Sequence, residues 1–168
     1  MTDFSPIAIL RFLALFGVQV FILNQIQWFG AVSPMILVLF LFWTPIDRNI
    51  TSSMLGAFAL GLVTDIASDT IAFNTIALTV AAYLRPAVLR LSYGSSVSFH
   101  TDSQFSGTLG QNLLYLFYLL LIHHLLFFTV EIFELSGAFV ILTKTAIHLP
   151  FSYLIVALIA ILFSSQKR

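Results

Sequence analysis

Apolar residues in this chain come in long unbroken runs rather than alternating with polar ones, and each run is about as long as a membrane span. A helix rises about 1.5 Å per residue, so crossing a hydrocarbon core of about 30 Å takes about 20 largely apolar residues. That ruler predicts helices over roughly 6–24, 29–46, 51–67, 70–90, 111–131 and 138–163. The expected architecture is an all-α, six-helix transmembrane bundle forming a single domain over 1–168, because lipid gives exposed backbone no hydrogen-bond partner. The second segment is the shortest. Its apolar core opens at Ser33-Pro34, where Ser33 can cap a helix and Pro34 can sit in the first turn. Trp28 and Trp43 bracket it as interfacial tryptophans do. A re-entrant hairpin is the alternative reading there.

Composition agrees with the pattern. Hydrophobic residues make up 60% of the chain and charged ones 8%, whereas a soluble domain carries about 25% charged residues to face water. The 18 Phe residues suit a lipid-exposed surface. A formal net charge of zero gives no reason to expect a nucleic-acid partner, and the absence of Cys excludes thiolate metal sites. Near the N-terminus, Arg11 and the apolar run 12–23 imitate a secretion signal. Asn24, Gln25, Gln27 and Trp28 follow in place of a small-residue cleavage site, so this run is expected to be a retained helix.

The few charges predict an orientation. With six spans and both termini cytoplasmic, Arg48, Arg85, Arg90, Lys167 and Arg168 all fall on the inner side. The outer connections, near 24–30, 67–70 and 132–137, hold or adjoin Asp65, Asp69, Glu131 and Glu134 and contain no Lys or Arg. That is the positive-inside pattern of a cytoplasmic-membrane protein. Arg11, near the inner end of the first helix, can snorkel to the headgroups. Residues 92–110, rich in Ser, Gly and Thr, form the one sizeable hydrophilic stretch. It is expected to be a cytoplasmic linker, or a partner-docking loop anchored by Tyr93, Phe99 and Phe105, with His100 and Asp102 between them.

Two groups of residues are candidates for function. In the third helix Ser53, Ala57, Gly61 and Asp65 recur every four residues and so share one face, with Gly56 widening the notch. Small residues at that spacing let another backbone come close, which drives helix association in lipid. Asp65 continues that face and is expected to point into the protein or the outer interface. In the last two helices, His124 and Glu131 are seven apart, and Lys144 and His148 are four apart. The helices are antiparallel, so His124, Lys144 and His148 lie roughly 9–15 Å below the connecting loop, with Glu131 at its rim. A Glu131–Lys144 ion pair above His124 and His148 is expected, forming a buried polar network that fixes helix register. Proton transfer and partner contact are the other uses of such a cluster. His123, His124 and His148 match no standard metal-ligand spacing, and no metal or cofactor is expected. Pro150 is placed to kink the sixth helix. No nucleophile with its base and no phosphate-cradling Gly loop stands out, so a non-enzymatic role is expected.

One stretch carries a family resemblance. Gly56-x4-Gly61-Leu62-x2-Asp65, continuing through Ile66-Ala67-Ser68-Asp69 to Asn74 and Tyr83-Leu84-Arg85-Pro86, resembles MreD, the rod shape-determining membrane proteins of bacteria. The resemblance is best over 53–91, and the His123-His124 pair with Glu131 is similar to versions of the family from the Bacteroidota. Many members have Gly where this chain has Asp69 and Ala72, so the turn between the third and fourth helices is expected to differ. The resemblance implies a non-enzymatic scaffold or regulator of cell elongation in the bacterial inner membrane, with homodimerisation possible. Its implied partners are the single-span, coiled-coil protein MreC, the elongation glycosyltransferase RodA, a penicillin-binding transpeptidase and, indirectly, the actin-like filament MreB. Gly56, Gly61, Asp65 and Asn74 are the positions the resemblance marks. A second architecture of this length is the substrate-binding subunit of energy-coupling-factor vitamin transporters. Its Ala-x3-Ala motif on the first helix is missing, since Phe12 follows Ala8 and Val18 follows Ala14 at that spacing. A polar pocket made by Asn24, Gln25, Gln27, Asp65 and Asn74 is what that reading would use.

Overall fold

The computed structural model describes residues 6–26, 33–45, 49–94, 108–134 and 137–164, and among them every regular element is helical. In chain order these are α1 (Pro6–Val18), which continues as a π-helical turn over Gln19–Leu23, then α2 (Leu39–Trp43) and α3 (Ile50–Ser68). They are followed by α4 (Phe73–Tyr93), α5 (Leu109–Ile132) and α6 (Ala138–Ser164). Local chemistry sets several ends. The Asn49 side chain accepts from Thr51 N–H to cap α3. At α5, the Thr108 hydroxyl oxygen accepts from Gln111 N–H, and the Gln111 side-chain oxygen accepts from Thr108 N–H, a complete capping box. Gly94 ends α4 at φ +81°, a conformation Gly adopts without strain.

α3, α4, α5 and α6 pack in sequence order as antiparallel neighbours, with α1 and α2 against α3. Four helical stretches are long and apolar enough to cross a membrane: Pro6–Leu23, Ile50–Ser68, Leu109–Ile132 and Ala138–Leu162. Side-chain distribution supports lipid as the solvent. Phe21, Ile66, Ile71 and Phe139 are each more than 70% exposed, while Gln19, Asp65, Asn74, Arg85, His123, His124 and Ser152 are buried. In water that distribution would leave an apolar surface far beyond what a monomer tolerates. The chain is an all-α membrane protein.

Two of the six expected spans differ from the rest. α4 is 21 residues long but less apolar, and it sits between α3 and α5. Eleven of its residues are buried, so its neighbours rather than lipid cover it. The second segment departs further. Of the helix expected over 29–46, only Leu39–Trp43 is helical among the described residues. Residues 33–38 run without regular structure although Met35, Ile36, Leu37 and Val38 are each at most 8% exposed. Pro34 supplies no N–H to a helix, and side chains of other elements take up the backbone groups instead. The hydrophilic stretch expected over 92–110 is shorter at both ends, because α4 reaches Tyr93 and α5 begins at Leu109. His100, Asp102, Phe99 and Phe105 lie outside the described residues, as do Gln27, Trp28, Arg48, Lys167 and Arg168. α6 continues through Pro150 as one helix.

Candidate functional site

Each feature that the sequence singled out has a definite place. Ser53, Ala57, Gly61 and Asp65 are all buried on α3. A Cβ built on Gly61 would lie 2.5 Å from Thr75 Cα and 2.7 Å from Thr75 N, so the small-residue face is turned onto the backbone of α4. The notch is occupied within the chain. Gly56 lies against the Phe40 ring, whose Cζ would be 2.5 Å from an added Cβ.

Asp65 closes this hairpin. One carboxylate oxygen accepts from Asn74 N–H at 3.0 Å, Asn74 Nδ2 at 2.9 Å and the Thr70 hydroxyl at 2.6 Å. The other accepts from Thr75 N–H at 2.8 Å and the Thr75 hydroxyl at 2.6 Å. Asn74 and Thr75 are the second and third residues of α4, whose N–H groups have no partner within their own helix. Asp65 therefore does from α3 what a capping side chain does locally, and as an anion it also suits the positive end of the α4 dipole. The turn between them carries strain. Asp69 and Ala72 both have left-handed backbone, at φ 54° and 58°, which disfavours any residue with a Cβ.

The polar residues of α5 and α6 form separate units rather than one network. Lys144 Nζ donates to Glu131 Oε2 at 2.8 Å, and both side chains are about a third exposed (38% and 33%), so the pair is not buried as expected. Phe128 lies beneath it, with its ring 5.5 Å from Lys144 Nζ and 4.9 Å from the His148 ring. His148 Nδ1 donates to the Lys144 carbonyl at 2.8 Å. The wall of Phe128 separates His124 from the ion pair, so no continuous hydrogen-bonded path joins them among the described residues.

His124 belongs to a different construction. Its Nδ1 is 2.8 Å from the Leu120 carbonyl, which can only accept, so the proton sits on Nδ1. Nε2 therefore accepts from the Ser152 hydroxyl at 3.0 Å, and Ser152 Oγ accepts from Met35 N–H at 3.0 Å. The distance matches that of a serine nucleophile and its base, but Ser152 is fully buried and its oxygen holds backbone. Gln19 works beside it. Its Oε1 accepts from Ile36 N–H at 2.9 Å while its Nε2 donates to the Pro34 carbonyl at 3.1 Å and to Asn24 Oδ1 at 2.8 Å. One side-chain amide thus pairs with two backbone groups as a neighbouring strand would. At the far end of the same segment, Arg85 donates to the Pro45 carbonyl at 3.1 Å, to the Thr44 carbonyl, and through Nε to the Tyr115 hydroxyl at 2.8 Å. Irregular backbone survives at membrane depth only when its polar groups are met inside the protein; Gln19 and Ser152 meet the Pro34 carbonyl and the Met35 and Ile36 N–H groups, and Arg85 meets the Thr44 and Pro45 carbonyls. His123, next to His124, is fully buried, and neither ring nitrogen has a partner among the described residues. Arg11 lies 5.6 Å from the Trp43 ring, on the rim of the segment.

Gln19, Tyr115, Thr75 and Ser152 are working residues that are not among those expected from the sequence, and Arg85, expected as an inner-side charge, is buried and holds the Thr44 and Pro45 carbonyls. The signal available for Gln19 was a lone amide inside an apolar run, where polar groups are retained for a partner.

Beside Gln19 lies a cavity of about 480 Å³, within the usual range for small-molecule sites. Gln19, Asn24, Ser33 and Met35 line one side, Ser68, Thr70 and Asn74 another, and Phe127, Phe128, Glu131, Lys144, Ile147 and His148 the third. Asn24 Nδ2 also donates to Ser68 Oγ at 2.8 Å, tying the end of α1 to the end of α3. Among the described residues no three His, Asp or Glu side chains gather closely enough to hold a metal ion. Comparison with known proteins gives no relative: no family model, no curated protein and no solved structure matches the chain.

Proposed function

We propose that this chain is a non-catalytic scaffold or regulator in the bacterial inner membrane, an MreD-like component of the cell-elongation machinery. In this reading both termini are cytoplasmic, and the chain binds an MreC-like single-span protein and the peptidoglycan-synthesis enzymes. The observation that carries it is the role of the residues behind the resemblance. Gly61, Asp65 and Asn74 are spent on closing the α3–α4 hairpin, where Asp65 accepts from Thr70, Asn74 and Thr75. Residues used in this way build a rigid, lipid-embedded body that presents surfaces. The test is to tag the chain in its native host, solubilise in mild detergent and identify stoichiometric companions by mass spectrometry. Recovery of a single-span coiled-coil protein with wall-synthesis enzymes is expected. Recovery of paired ATPases with a coupling membrane subunit would replace this reading with the second one, a vitamin-binding transporter subunit. The cavity between α1, α3 and α6 is the observation that favours that second reading.

A further inference from the structure

We propose that the cavity binds a zwitterionic head group, an ammonium and a phosphate or carboxylate a few bonds apart, with Lys144 and Glu131 as its two poles. The inference holds under either reading above. Three departures from regular helix converge on this one cavity. The π-helical turn contributes Gln19, the unwound segment contributes Ser33 and Met35, and the strained α3–α4 turn contributes Thr70 beside Asp69 and Ala72. π turns and strained backbone gather at sites where something other than helix stability is served.

The chemistry of the wall selects the ligand. Lys144 gives one N–H to Glu131 Oε2, leaving two N–H groups and Glu131 Oε1 without partners among the described residues. A zwitterion completes this set: its anion takes a free Lys144 N–H and its ammonium faces Glu131 Oε1. The four charges then alternate in sign and the site stays neutral. A ligand with a single charge would meet only one of these two poles and leave the other without its partner. His148 adds to the preference. Its Nδ1 is committed to the Lys144 carbonyl, so its Nε2, unpartnered among the described residues, is an acceptor for the ammonium.

Such a head group can come from a phospholipid of the surrounding bilayer or from a free metabolite. The test uses the full chain purified in detergent and follows its thermal unfolding. Probes are micelles doped with phosphatidylethanolamine or with phosphatidylglycerol, and free glycerophosphoethanolamine, ethanolamine or inorganic phosphate. The expected result is a rise in midpoint of roughly 5 °C at saturating zwitterion and none with the probes whose charge is of one sign only. Protection by phosphatidylethanolamine alone assigns a lipid, and protection by glycerophosphoethanolamine assigns a soluble ligand; both support the site. In the double variant Glu131→Gln/Lys144→Gln, whose own midpoint serves as the folding control, the rise should vanish. Equal protection by phosphatidylglycerol, no protection by any zwitterion, or full protection of the folded double variant would overturn the proposal. If the variant does not fold, the wild-type discrimination between the two lipids decides alone.

Discussion

Replacing Gly61 with Ala tests the closest approach in the structure. The added Cβ would lie 2.5 Å from Thr75 Cα, 2.7 Å from Thr75 N and 2.9 Å from Asn74 C, all of them backbone atoms of α4. Ordinary carbon contacts need about 3.5 Å, so the start of α4 must retreat by about 1 Å. That retreat stretches the Thr75 N–H bond to Asp65 from 2.8 Å to about 3.8 Å, beyond hydrogen-bonding range. Overpacking costs about 1–3 kcal/mol, and a bond to a charged acceptor is worth about 1.5–3 kcal/mol. Partial relaxation and the better helix propensity of Ala return about 1 kcal/mol. A net loss of about 3 kcal/mol is expected. Gly17→Ala is the matched control, since a Cβ there meets nothing within 4 Å. It should leave stability unchanged or raise it by up to about 1 kcal/mol. The assay is reversible unfolding in mixed micelles of mild detergent and dodecyl sulfate, followed by helicity. If Gly61→Ala unfolds within about 0.5 kcal/mol of wild type, below the expected overpacking cost, the α3–α4 approach is not as close as described.

Three further outcomes are expected. Arg85→Met leaves the Thr44 and Pro45 carbonyls and the Tyr115 hydroxyl without their donor; stability should fall by about 2–4 kcal/mol, with amide exchange quickening first over 39–45. Unchanged exchange there would show that Arg85 does not hold the segment. The two adjacent histidines should separate. His123→Phe should change stability by less than about 1 kcal/mol, since it removes two unpartnered nitrogens, whereas His124→Phe should cost about 2 kcal/mol through Ser152 and Met35. Equal melting of the two variants would refute the separation. Ala72→Gly, which relaxes φ 58°, should raise stability by about 0.5–1 kcal/mol in the same unfolding assay, and a loss would show that the turn is not strained.

The membrane class and most helix positions follow from the chain alone. The runs over 51–67, 111–131 and 138–163 coincide within a few residues with α3, α5 and α6, because lipid imposes a length and an apolar composition that can be counted along a sequence. The spacing of Ser53, Ala57, Gly61 and Asp65 likewise places them on one helix face, since helical period is local. The identity of what that face meets is not local, and here it is the backbone of α4. Nor could a count of apolar residues show that 33–38 is unwound. A buried irregular segment and a buried helix have the same composition, and the difference lies in whether Gln19 and Ser152 arrive from distant positions to meet the backbone groups. The ion pair between Glu131 and Lys144 was legible from helix spacing across one short loop. Its exposure, and the Phe128 ring that divides it from His124, were decided by how α5 and α6 are rotated against each other. Sequence determined which residues lie in the membrane and on which face of a helix, and tertiary packing determined which faces meet.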